Sequence, residues 1–196
     1  MANEYADRAL LKERLNIEAA DTSRDALLDG ALAASSRGID RATGRRFWLD
    51  DTATVRTFTL AGRVMCGAGG ERLLLDDMGD APSVVETGSG ASWTARTDYD
   101  TAPDNAIVRG RPITALLLAS GRWGAGPRAR VTARWGWPTV PDEITEATLL
   151  QAARLYRRKD SPEGVTGSAE WGVVRLSRRD PDVWALIEHF VLPGFG

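Results

Sequence analysis

The chain has 196 residues, of which 43% are hydrophobic and 27% charged, a balance that supports a packed core and excludes a disordered chain. Twenty-five basic residues face 27 acidic ones, for a net charge of -2, so no global excess of positive charge favours tight nucleic-acid binding. A single cysteine, Cys66, excludes an internal disulfide framework and a cysteine-based zinc cluster, and a single histidine, His189, removes most familiar catalytic constellations.

Residues 1–49 read as helical. Ala6 to Leu15 forms a short segment, and Thr22-Ser-Arg-Asp25 has the form of a helix start, with an oxygen-bearing cap and an acid three residues on. Leu28, Leu32, Ser35 and Ile39 then recur at helical spacing. Beside them runs a stripe of small residues, Ala31, Ala34, Gly38 and Ala42, that predicts close packing of a second helix, and Gly44 marks the end. No apolar run opens the chain and no stretch reaches the roughly 20 residues of a membrane span, so neither a secretory leader nor a membrane partner is expected.

Residues 50–141 change character. Twelve of the 20 glycines fall between Gly62 and Gly136, and six strands are predicted, at 54–60, 72–75, 83–87, 92–97, 113–119 and 129–135. The last alternates cleanly, with Ala129, Val131, Ala133 and Trp135 on one face and Arg128, Arg130, Thr132 and Arg134 on the other. An antiparallel β-sheet is expected.

Helical periodicity returns from Asp142 to about Lys159, through Ile144, Ala147, Leu149, Leu150, Ala153, Leu155 and Tyr156. Ser161 to Ser168 reads as a loop. Asp180-Pro181 opens a last helix with Val183, Trp184, Ile187, Phe190 and Val191 on one stripe. The reading is therefore an α+β fold: a small helical bundle (residues 1–49 and 142–192, one discontinuous domain) interrupted by an inserted antiparallel β-sheet region (50–141), with a short tail (193–196).

The search for chemistry finds no catalytic, cofactor-binding or metal-binding residue set. Cys66-Gly67-Ala-Gly69-Gly70 lacks the lysine and the following helix of a phosphate-binding loop and reads as a β-turn. Asp76, Asp77 and Asp80, and later Asp98, Asp100 and Asp104, do not have calcium-loop spacing and read as turn residues. Carboxylates such as Asp76 and Asp98 leave an enzymatic reading as a rival. Arg128, Arg130 and Arg134 are candidate contacts to DNA or an acidic partner. The stretch 154–179, with seven cations against three anions, is a second basic patch and raises a DNA-binding module as another rival. Seven tryptophans are many for one small core. Trp123 and Trp171, in glycine-rich loops, are the candidates for intermolecular contact, together with Arg157, Arg158, Arg178, Arg179 and Phe195.

Leu11-Lys-Glu-Arg-Leu15-Asn-Ile17, Asp25-Ala-Leu-Leu28, Ala33-Ala-Ser-Ser-Arg-Gly-Ile39-Asp40 and Thr43-Gly44-Arg45-Arg-Phe47 resemble the opening of tailed-phage head–tail connector proteins, also called head-completion or adaptor proteins. Leu73-Leu-Leu-Asp-Asp77, Ser83-Val-Val85, Asp98-Tyr99 with Pro103, and Val131-Thr-Ala-Arg-Trp-Gly-Trp-Pro138 with Val140-Pro141 resemble its middle. Arg157 to Gly164 and Ser177 to Val183 extend the match, so the resemblance spans roughly residues 5 to 190. It implies a structural virion protein at the head–tail interface. Copies of the chain, commonly twelve, would form a ring beneath the portal protein, extend the channel for passing double-stranded DNA without sequence specificity, and dock a stopper or tail-terminator protein. Those last two neck components, generally β-rich without flanking helices, are the rivals within the same class.

Overall fold

A computed structural model describes residues 3–67, 69–124, 126–158, 165–166, 174–175 and 180–192. The fold is α+β, and the chain divides into two compact units, Met1–Arg45 with Val140–Gly196, and Arg46–Thr139.

In the first unit, α1 (Arg8–Arg14), α2 (Asp25–Thr43) and α3 (Asp142–Arg158) pack around Leu11, Leu28, Leu32, Leu149, Ala152 and Tyr156, and α4 (Pro181–Ile187) packs against α3. α2 ends as its sequence predicts: Gly44 takes the left-handed conformation (φ 69°) and its N–H donates to the Asp40 carbonyl at 2.8 Å. Ser35, Ser36 and Thr43 are buried within α2 because each hydroxyl donates to the carbonyl four residues back, at 2.8–2.9 Å. α2 packs against α3 as expected, and of the small-residue stripe Ala31 lies in that core beside Leu28 and Leu32. The leucine stripe faces the core, whereas Ala34 is exposed and nothing approaches Gly38.

The start of α2 differs from the capping box that the sequence suggests. Arg24 holds the N-cap position without a side-chain cap, and Asp25 accepts an ion pair from Lys12 Nζ at 2.6 Å. Lys12 also donates to the carbonyls of Asp21 (2.7 Å) and Ala19 (3.2 Å), so one buried ammonium holds the α1–α2 connection. At the other end, Asp180 caps α4 by accepting from the Asp182 and Val183 N–H groups, with Pro181 in the first turn, and a single 3₁₀ turn follows at Glu188–Phe190. The chain then returns to α2, where Leu192 N–H donates to the Thr43 carbonyl at 2.8 Å. Two short strands, β9 (Val165–Thr166) and β10 (Val174–Arg175), pair antiparallel inside the segment read as loop and its continuation.

The second unit holds two four-stranded antiparallel sheets where the sequence suggested one. The first has the order β1 (Thr54–Thr59), β8 (Arg128–Ala133), β4 (Val84–Ser89), β5 (Ser92–Ala95). The second has the order β2 (Val64–Gly67), β3 (Gly70–Met78), β7 (Ile113–Leu118), β6 (Asp100–Ala102). All six predicted strands form. The two missed ones, β2 and β6, are the four- and three-residue edges of the second sheet and carry no apolar alternation to announce them. Phe58, Leu73, Val85, Leu116, Val131 and Trp135 from the inner faces of both sheets share one core. β2 and β3 pair as a hairpin, with Gly67 opposite Gly70.

Candidate interaction surfaces

β8 displays the alternation read from its sequence: Ala129, Val131, Ala133 and Trp135 are buried, and the arginines lie on the outer face. Two of those arginines are held within the unit. Arg130, in register between Thr57 of β1 and Glu86 of β4, donates to Glu86 at 2.8 Å and lies 4.4 Å from the Trp93 ring centroid. Arg134 donates to the Asp50 carbonyl at 2.9 Å and pairs with Asp80 at 3.1 Å. Arg128 is exposed. Carboxylates thus neutralise most of the positive charge on this face, which is a weak surface for phosphate.

Trp123 corrects the sequence reading. Although its backbone runs through a glycine-rich loop, its indole is 0% exposed and belongs to the core between the sheets, so it presents nothing to a neighbouring subunit. Loop composition reports backbone freedom and is silent on which way one side chain turns. Trp135 and Trp137 are buried in the same unit. Trp171, Arg178, Arg179 and Phe195 lie outside the described residues. Arg157, in the last turn of α3, is exposed, and Arg158 beside it is half-buried. Arg154, at the head of the basic stretch, closes on Asp180 at 3.1 Å.

The acids offered as catalytic rivals are also engaged. Asp76 pairs with Arg56 at 2.8 Å and with Arg63 at 3.6 Å. Asp98 accepts two bonds from Arg96, each 2.9 Å, which hold its carboxyl below the usual carboxylate range, the direction opposite to that of a general acid. Cys66 is an exposed thiol whose polar neighbour is Glu71, at 3.8 Å, and His189 is exposed with its ring 4.1 Å from that of Phe190. Among the described residues no group of three His, Cys, Asp or Glu side chains is placed to hold a metal ion, and no helix is long and apolar enough to cross a membrane.

Two surface features have no counterpart in the sequence reading. In the second unit, the turn from Pro103 to Pro112 ends on a 3₁₀ turn (Ile107–Arg109) that carries Val108 at 89% exposure, with Arg109 and Arg111 exposed beside it. In the first unit, α1 and the start of α3 enclose an open groove of about 690 Å³, lined by Leu10, Leu149, Thr145, Glu13, Asp142 and the Arg14–Glu146 pair.

No protein-family model matches this chain, and none of the curated proteins matches its sequence. Solved structures share its fold. A chain in the neck of an empty gene transfer agent particle, computed with C6 symmetry, superposes with a TM-score of 0.55 at 18% identity, covering 98% of this chain and 92% of the other. A chain of the virion of a native gene transfer agent particle superposes with a TM-score of 0.53 at 19% identity, again over 98% and 92%. The order of helices, paired sheets and returning helices is therefore an architecture also found in the neck of a virus-like particle.

Proposed function

We propose that this chain is a structural neck subunit of a phage-like particle. In finer terms it is the head-to-tail adaptor: copies of the chain, commonly twelve, form a ring under the portal protein, extend the DNA channel and dock the next neck or tail component, a stopper or tail terminator. The observation that carries this reading is the full-length likeness of fold to a neck chain, with 98% of this chain covered.

The physics of the surface supports the same role. A conduit must let double-stranded DNA slide, and every phosphate neutralised by a free cation adds salt-dependent affinity that opposes sliding. A net charge of -2, with Arg130 and Arg134 closed by Glu86 and Asp80, keeps that affinity low. The engaged carboxylates Asp76 and Asp98 weigh against a hydrolytic role, and the four helices among the described residues weigh against a stopper or tail terminator.

Cryo-electron microscopy of particles from the producing cell tests the reading. Density for this chain in a ring at the vertex joining shell and tail is the expected result. Particles with complete necks that contain no copies of it would remove the proposal.

A further inference from the structure

We infer that the Val108 turn of one copy seats in the α1–α3 groove of a second copy, giving a head-to-tail contact between identical chains. The turn is built to hold its shape. Ala106 is buried and Ile107 packs against the core, and the backbone closes on itself through Arg109 N–H to the Ala106 carbonyl (3.0 Å), Gly110 N–H to the Ile107 carbonyl (2.9 Å) and Arg111 N–H to the Ala106 carbonyl (2.9 Å). A valine held out on such a turn loses little freedom on docking.

The groove is its complement in apolar character and in charge. Leu10, 44% exposed, and Leu149 offer an apolar floor. Arg14 Nη2 donates to both Glu146 carboxylate oxygens at 2.6 Å, so Glu13 and Asp142 remain as the acidic excess of the rim, and both are exposed. Opposite them, Arg109 and Arg111 outnumber the turn's one acid, Asp104. An apolar tip with two cations beside it thus meets an apolar floor with two carboxylates at its rim, and complementary charges of this kind set register and partner choice. The two surfaces belong to different units and differ from each other, so the contact is heterologous: each copy has one of each to offer, and repetition gives a closed ring or an open filament. The inference deepens the neck reading and rests on it in one respect, that copies of the chain meet one another.

The test uses the full chain in a Cys66→Ser background. A Val108→Cys copy and a Leu10→Cys copy are mixed at high concentration with a short bismaleimide, and Thr145→Cys provides a second groove position should Leu10→Cys disturb folding by circular dichroism. The expected result is a linked dimer of unlike copies in excess over either like-with-like product. Adding Arg109→Glu with Arg111→Glu to the Val108→Cys copy abolishes the product, and adding Glu13→Arg with Asp142→Arg to the groove copy restores it. Failure of the unlike pair to link, linkage that survives reversal of the turn's charges, or failure of the double reversal to restore it overturns the inference. Copies that link in this way but are missing from particle necks would remove the neck reading and leave this contact standing. Copies present in necks that do not link would remove this contact alone.

Discussion

Glu71 holds Trp123 at two points: its carboxylate accepts the tryptophan's main-chain N–H at 2.9 Å, and its own carbonyl accepts the indole Nε1–H at 3.1 Å. β3 thereby fastens a loop more than fifty residues further along the chain. The indole's one polar atom is satisfied, so the remainder of the ring can be buried without penalty. Trp123→Ala should cost about 3–5 kcal/mol of stability in the β-rich unit, the usual loss for a buried indole. Urea unfolding followed by circular dichroism checks this. A loss below about 1 kcal/mol, with defective assembly of a fully stable chain, would return Trp123 to the interface role its loop suggested.

Lys12 is one of only two lysines in the chain, and its buried Nζ meets Asp25 and the carbonyls of Asp21 and Ala19. Lys12→Met removes the charge and strands these acceptors, so the helical unit should lose about 3 kcal/mol, as when one member of a buried ion pair is deleted. Lys12→Arg should fail to restore stability, because a planar fork cannot reproduce two hydrogen bonds and an ion pair that converge on a single nitrogen. Thermal unfolding of the two variants side by side decides the matter, and an arginine variant as stable as wild type would refute the account.

Gly69 and Gly70 are adjacent in sequence and opposite in tolerance. Gly70 has φ +112°, and a Cβ there would lie 1.9 Å from the Leu118 carbonyl oxygen, whereas nothing lies within 4 Å of a Cβ on Gly69. Gly70→Ala must therefore push β3 away from β7 as well as strain its own backbone, and should cost more than about 3 kcal/mol. Gly69→Ala should stay within about 0.5 kcal/mol of wild type. Chemical denaturation of the pair tests the contrast directly.

The Asp98 carboxyl should titrate below its ordinary value because it accepts hydrogen bonds from Arg96, and Arg96→Ala should move the titration up. Since the folded-state pKa is the depressed one, the stabilisation is fully present above the unfolded carboxylate value of about 3.9 and disappears as pH falls through the folded value. Carbon-detected NMR of the side-chain carboxyl against pH reads both effects. An Asp98 titration unchanged by Arg96→Ala would show that the two side chains are not paired in solution.

Residues 25–44 and 128–135 carry their structure legibly in the sequence. The leucine stripe of α2, the left-handed Gly44 and the inside-outside alternation of β8 all follow from the sequence, because each is a periodic or local property written over many neighbouring residues. The helix–sheet–helix order and the α+β class rest on the same kind of signal. Tertiary structure alone decided that the strands divide into two sheets, that Trp123 turns inward, that Lys12 rather than Thr22 governs the start of α2, and that Arg130 and Arg134 are closed by Glu86 and Asp80. Each of these depends on one partner far along the chain or on the direction of one side chain in an aperiodic segment. No period exists there to average over, so the choice appears only when distant residues meet.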